Sequence, residues 1–176
     1  MLFEFFYTMS ELKKIQRRGW KEKVGIDKPE SVADHSYVTT LMTMIFSDIQ
    51  NLNAEKAVKM ALLHDLVESI TGDFTPNEIT KENKRTIENE VMEEILLKLP
   101  SDIANQYGGI WKEFQDCKTN ESVLVHDVDR LEMAIQASKY ISEGHPKEKL
   151  KEFVESAKKE VKSKEILEIL DTISYK

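Results

Sequence analysis

The sequence predicts an all-α fold, a single-domain bundle of about seven helices. Apolar residues recur at helical spacing nearly throughout, runs alternating with period two are absent, and only 6 Gly and 4 Pro punctuate 176 residues. A chain of that length fits one domain and buries a sizeable core without disulfides or metals as staples.

The first helix is expected from Phe3 to Gln16, and "RRGWKEKVGIDKPE" then breaks the pattern through Gly19, Gly25 and Pro29. Ser31 or Asp34 caps a second helix reaching Gln50, with Val38, Leu41, Met42, Ile45 and Ile49 as its buried stripe and His35 in its first turn. Asn53 caps the third, "AEKAVKMALLHDLVESI", with Glu55 in its first turn, and "TGDFTP" ends it through Gly72 and Pro76. A fourth covers Lys81 to Leu99. Pro100 and Ser101 open a fifth that Gly108 and Gly109 bend or interrupt. A sixth runs from Glu121 to Ser142 and stops at "EGHP"; Lys147 to Lys162 and Lys164 to Ile173 complete the bundle with charged amphipathic segments whose Lys and Glu runs are solvated faces.

Composition narrows the function classes. A net charge of −7 opposes broad binding to a phosphate backbone, because a nucleic-acid module presents a basic face. Cys117 is the single cysteine, so no intrachain disulfide can form, and it reads as a half-buried small residue. The opening "MLFEFFYTMSELKKIQRRGW" lacks the basic start, long apolar stretch and cleavage site of a leader and reads as an amphipathic helix. No segment approaches the roughly 20 apolar residues of a bilayer span. The expected compartment is the cytoplasm, with no membrane and no nucleic-acid polymer as partner.

"MALLHDLVESITGD" begins as an apolar helix and then sets down His64, Asp65, Glu68 and Asp73. Residues three and four apart share a helix face, so Glu68 falls near both His64 and Asp65. A carboxylate beside a histidine in a buried stretch is costly unless a cation or hydrogen bonds compensate. A metal ion would compensate, since imidazole nitrogen and carboxylate oxygen together suit Mn, Co, Fe, Ni or Zn. Two ligands make no stable site; His35 in "ESVADHS" and an Asp of "VLVHDVDRLEM" are the candidates for the others.

The ordered set "VADHS", "HDLVES" and "DVDRLEM" resembles the HD-domain metal-dependent phosphohydrolases, named for a metal-binding His…His-Asp…Asp set. A nearer resemblance is to the 5′-deoxynucleotidase branch, with "RRGW", "KPESVADHS", "HDLVESITGD" and "DVDRLEMAIQASKY" in the branch's order. It covers Lys13 to Tyr140; residues 145–176 carry none of it and form C-terminal helices of one HD-type domain spanning 1–176.

The resemblance implies one divalent metal ion, from among Mn, Co, Mg, Zn, Fe and Ni, held by His35, His64, Asp65 and Asp129. It selects Asp129 over Asp127 through the family's D-x-D-[KR] pattern. Glu68 is then placed to orient or deprotonate a water, and Asp73 to hold a second water or give the leaving group its proton. Arg17 or Arg18 offers a fork of donors for phosphate and Trp20 a flat surface for a base or sugar, the branch's R-x-G-W favouring Arg17. Gly72 permits a turn that returns Asp73 to the metal. His126 and His145 have no motif role.

The expected activity is hydrolysis of deoxyribonucleoside 5′-monophosphates to deoxynucleoside and phosphate. Another HD-type nucleotide hydrolase, such as one for triphosphates, and a catalytically lapsed nucleotide-binding module are the alternatives. The branch implies a homodimer, with "MLFEFF" as a candidate contact.

Overall fold

The computed structural model describes residues 2–75 and 78–174, and Pro76, expected to help end the third helix, lies outside them. Among the described residues there are nine α-helices, and the only strand-like pairing is an isolated bridge between Gln16 and Ser31. They are α1 (Leu2–Ser10), α2 (Val32–Ile49), α3 (Ala54–Leu63), α4 (Glu68–Thr71), α5 (Lys81–Leu96), α6 (Ser101–Asp116), α7 (Asn120–Ser142), α8 (Lys147–Glu160) and α9 (Lys164–Thr172). No helix among them is long and apolar enough to cross a membrane.

The long helix α7 is the axis, packing against α2, α3, α6, α8 and α9. It serves two apolar clusters. Leu124, Val128, Leu131 and Ala134 join Trp20, Val24 and residues of α8 and α9, whereas Val125 joins Met60, Leu63, Met92, Ile95, Trp111 and Phe114 on the other side. A helix buried around most of its circumference shows little amphipathic contrast, and its buried ionic groups are then exceptions that need partners.

The first predicted helix ends early. α1 gives way to a 3₁₀ turn at Glu11–Lys13, and the irregular segment that follows contains a short π-helical turn at Trp20–Val24. Backbone bonds from Val32 N–H to Ile15 O (2.8 Å) and from Arg17 N–H to Glu30 O (3.0 Å) stitch this segment to the entrance of α2. Ser31, not Asp34, is the cap. Its hydroxyl accepts from Asp34 N–H at 3.1 Å while the Asp34 carboxylate accepts from Ser31 N–H at 3.0 Å, a reciprocal capping box.

α2 overturns its expected stripe. Val32, His35, Ser36, Thr39, Thr43, Phe46 and Ser47 are buried, whereas Leu41, Ile45 and Ile49 are exposed and Val38 and Met42 half-buried. Small hydroxyl residues let α2 approach α3 and α7 closely while it carries His35 inward; the bulky apolar side is left on the surface.

The third predicted helix divides in two. Over His64–Val67 the hydrogen bonds reach back three residues instead of four, as in Leu66 N–H to Leu63 O (3.1 Å) and Glu68 N–H to Asp65 O (3.0 Å), before α4 resumes. At such a tightening, residues i and i+3 eclipse, which sets Glu68 over Asp65. The expected interruption of α6 at Gly108 and Gly109 does not occur, since burial of Ile110, Trp111 and Phe114 against the core outweighs the low helix propensity of two glycines. Cys117 is half-buried, in a left-handed conformation that terminates α6.

Candidate metal centre

The capping box of α2 puts His35 one turn into that helix, and the tightened end of α3 supplies His64 and Asp65. Midway along α7 comes Asp129. The two imidazoles meet through their Nε2 atoms at 3.3 Å. Asp129 Oδ1 lies 3.1 Å from His35 Nε2, and Asp65 Oδ2 lies 3.2 Å from His64 Nε2 and 3.6 Å from His35 Nε2. Ligand atoms at roughly 2.0–2.2 Å from one cation stand about 3.0–3.5 Å from one another, so these separations fit a shared ion. His35, His64 and Asp129 each offer an atom within 4.8 Å of the others; the Asp65 oxygen is shared with Arg17, whose Nη1 donates to it at 3.2 Å.

The outer nitrogens set the tautomers. His64 Nδ1 donates to Ala61 O at 2.7 Å, and His35 Nδ1 faces Glu132 Oε2 at 2.6 Å, which leaves both Nε2 atoms turned to the centre. Two neutral imidazoles whose lone pairs point at each other in a buried space need a positive charge between them, from a proton or a metal. The donor set fits a divalent ion with mixed nitrogen and oxygen ligands.

Ionisation follows the same logic. Burial and Arg17 disfavour a charged His35, but hydrogen bonding to Asp129 and Glu132 outweighs them and raises its pKa to about 10. Burial likewise opposes charge on His64, and Asp65 more than offsets it, so that pKa also rises. Burial would raise both Asp65 and Asp129, yet both are held below the usual carboxylate range, Asp65 by His64 and Arg17 and Asp129 by His35 and Arg130. Glu68 behaves oppositely. It is 3% exposed, burial together with Asp65 and Asp73 pushes its pKa well up, and its Oε2 has no hydrogen-bond partner. Burial also raises Asp73, whose Oδ2 accepts from Arg18 N–H at 2.6 Å. That return is made at Gly72, whose φ of 73° lies in the left-handed region.

The structure separates the two arginines. Arg17 is turned to Asp65, while the Arg18 side chain pairs with Glu22 (2.6 Å) and Glu78 (2.8 Å) near the surface and only its backbone touches Asp73. Trp20 is placed otherwise than expected. It is 2% exposed, packed on Phe153 and Tyr140 at centroid distances of 4.4 and 5.4 Å, and its Nε1 donates to Glu30 Oε1 at 3.0 Å. A ring enclosed on its faces offers no platform for a base, and Trp20 instead anchors the segment that carries Arg17. His126 stacks on Phe114 and donates to its carbonyl at 3.1 Å, and His145 lies edge-on to Tyr140. Neither enters the cluster.

Sequence reasoning missed Glu132 and Glu30. Glu132 lies one turn beyond Asp129 and is 3% exposed; Glu30 is half-buried, its pKa raised by burial and by Glu132. The signal was available in "DVDRLEMAI", where an acid one turn from a proposed ligand is flanked by Leu131 on one side and by Met133, Ala134 and Ile135 on the other.

Comparisons with known proteins identify the family. The HD domain family matches residues 9–169. A Dictyostelium discoideum protein named 5′-deoxynucleotidase HDDC2 is 40% identical over 166 residues, covering 88% of this chain and 87% of the relative. The Schizosaccharomyces pombe 5′-deoxynucleotidase hdd1 is 36% identical over 159 residues, covering 88% and 79%. Among solved structures, the PH0347 protein of Pyrococcus horikoshii superposes with a TM-score of 0.80 at 30% identity over 97% of each chain. A predicted metal-dependent phosphohydrolase of Magnetospirillum magnetotacticum, at 20% identity and a TM-score of 0.73 over 98% of this chain and 90% of its own, shares the fold. On family match, relatives and fold together, the chain belongs to the HD domain family.

Proposed function

We propose that this chain is a metal-dependent phosphomonoesterase that hydrolyses deoxyribonucleoside 5′-monophosphates to the deoxynucleoside and phosphate. The observation that carries the reading is the facing pair of His35 and His64 Nε2 atoms, flanked by Asp65 and Asp129, with the unpartnered Glu68 oxygen beside them. The relatives named as 5′-deoxynucleotidases support the substrate class.

His35, His64, Asp65 and Asp129 would hold the divalent ion, which when bound supplies Lewis-acid polarisation of a phosphoryl oxygen. Arg17 offers its guanidinium to the phosphate from beside Asp65. Glu68, a buried carboxylate with a raised pKa, takes the proton of the attacking water, since burial makes it a stronger base than a solvated carboxylate. Asp73, fixed by Arg18 N–H, orients water or returns a proton to the leaving 5′-oxygen. A wide surface depression lies beside Asp73, lined also by Gln16, Arg18, Lys21 and Gly72 but by none of the metal ligands.

The proposal extends to a cytoplasmic homodimer. Exposed Phe3, Phe6 and Tyr7 on α1 and Tyr37, Leu41 and Ile49 on α2 form apolar surfaces of the kind that pair between copies. Sedimentation of the purified chain tests this directly.

The activity is tested by measuring phosphate release from nucleoside mono-, di- and triphosphates with Mn, Co, Mg and Zn. Release confined to 5′-monophosphates, greater for deoxyribose, is the expected result. Pyrophosphate-type products from triphosphates, or binding without turnover under every metal, would overturn it.

A further inference from the structure

A second cation lies near the site on a helix that carries none of the metal ligands, its ammonium held against a glutamate of the same helix. Lys84 lies in the first turn of α5, which packs against α4 and so comes up to Glu68. Its Nζ is 3.4 Å from Glu88 Oε1 one turn along, with Lys84 36% and Glu88 14% exposed. The other oxygen of Glu88 accepts from Gln115 Nε2 of α6 at 3.5 Å. An ordinary surface pair of this spacing has both partners in water. Here the acid is largely enclosed and tied to a third helix, while the field of the ammonium reaches Glu68 and Asp73 and it feels Asp65 in turn. Burial disfavours the charged Lys84, but Glu88, Glu68 and Asp65 outweigh burial and keep it protonated.

Charge balance says what such a group is for. Asp65 and Asp129, both held ionised, repel an incoming phosphate dianion and offset the charge of a bound ion, and the guanidinium of Arg17 is already engaged with Asp65. A lysine has three donors, and Glu88 takes one. A compact ammonium on a flexible stem suits a tetrahedral oxyanion that changes shape during transfer.

We propose that Lys84 binds the phosphoryl oxygens of substrate and product, with Glu88 and Gln115 as positioning residues that aim its ammonium into the site. The assignment rests on the phosphomonoesterase reading above, and it names a substrate-binding residue for that reaction.

The experiment uses the full metal-loaded chain with inorganic phosphate as the probe, measuring its affinity by calorimetry and as a competitive inhibitor, beside KM and kcat for a deoxynucleoside monophosphate. Lys84→Met is expected to weaken phosphate binding and raise KM by about tenfold or more, with kcat less affected and metal content unchanged. Lys84→Arg restores most of the affinity because it keeps the charge, and Glu88→Gln gives an intermediate loss. Wild-type phosphate affinity in Lys84→Met at equal metal content overturns the proposal. So does a Lys84→Arg variant that lowers melting temperature as much as Lys84→Met and restores no affinity, the mark of a structural pair. If the wild-type chain binds phosphate through Lys84 but turns over no monophosphate, the reaction is wrong and the phosphate site stands. Turnover and KM unaffected by Lys84→Met sink Lys84 alone, and no phosphate binding by a wild-type chain that still turns over monophosphate sinks Lys84 and leaves the reaction standing.

Discussion

Oε2 of Glu132 stands 2.6 Å from Nδ1 of His35, so an acid inside α7 decides which nitrogen of a histidine on α2 faces the metal centre. Outer carboxylates of this kind orient the ring and raise its basicity as a ligand. Glu132→Gln keeps the shape of the side chain and removes the charge. The expected outcome is a loss of metal affinity of about 10–100-fold with the helical circular-dichroism spectrum intact, measured by chelator competition. Unchanged affinity would show that His35 needs no such support.

The metal-free protein should carry a pH signature of the same histidine. Its pKa is raised from an unfolded value near 6.5 to about 10, so protonated His35 contributes stability that is fully present below about 6.5 and is lost as pH rises toward 10. Asp65 and Asp129 act at the other end, since their depressed pKa values contribute stability above the ordinary carboxylate range that is lost as pH falls. Metal must displace the His35 proton, so the rise in melting temperature on adding metal grows from pH 6 to pH 9. Melting curves with and without metal across that range check it; a metal-induced shift that is flat in pH contradicts the assignment.

Glu68 sets function against stability. It is nearly enclosed, stands against Asp65 and Asp73, and leaves one oxygen without a partner, so its charged form is disfavoured in the metal-free protein. A raised carboxylate pKa means that folding is penalised once pH exceeds the unfolded value. Glu68→Gln should therefore abolish phosphate release while stabilising the metal-free chain by about 1–2 kcal/mol at pH 7. Denaturant unfolding of both proteins gives the comparison.

The motif residues were legible for two reasons. The His64-Asp65 pair stood out as a costly buried pair, the full set with His35 and with Asp129 in place of Asp127 came from the resemblance to the HD-domain family, and three helices bring these residues together. The break after Leu63 was not legible, because "MALLHDLVESI" keeps its helical period through the turn and only the three-residue hydrogen bonds reveal the tightening. The stripe of α2 misled for a different reason. Leu41, Ile45 and Ile49 form a good apolar face by spacing, but one chain cannot say whether such a face packs inward or meets another surface, and here Thr39, Thr43 and Ser47 took the interior. Trp20 misled in the same way, as an aromatic in a loop reads as a platform until Phe153 and Tyr140, distant in sequence, close around it.

That enclosure gives Trp20 its own test. Trp20→Ala removes a buried indole between two rings and should cost about 3–5 kcal/mol of unfolding free energy, with activity lost through unfolding and not through KM alone. Trp20→Phe retains much of the packing but leaves the Glu30 carboxylate without the donor it has at 3.0 Å, costing about 1–3 kcal/mol. A Trp20→Phe protein of native stability with KM raised tenfold would return this residue to the substrate.

Asp127 and Asp129 sit two residues apart on α7 and do unrelated work, so they make an internal control. Asp127 is 3% exposed and accepts from the backbone of Lys162 at 3.1 Å and of Ser163 at 2.7 Å, holding the junction where α8 ends and α9 begins. Asp129 faces His35 instead. Asp127→Ala strands two backbone donors and lowers stability by about 1–3 kcal/mol while the metal stays bound. Asp129→Ala removes the carboxylate that pairs with His35, so the metal-free chain loses part of its stability and, unlike Asp127→Ala, metal content and phosphate release fall with it. Elemental analysis beside melting curves separates the two; equal metal loss in both variants would mean that the junction of α8 and α9 also shapes the centre.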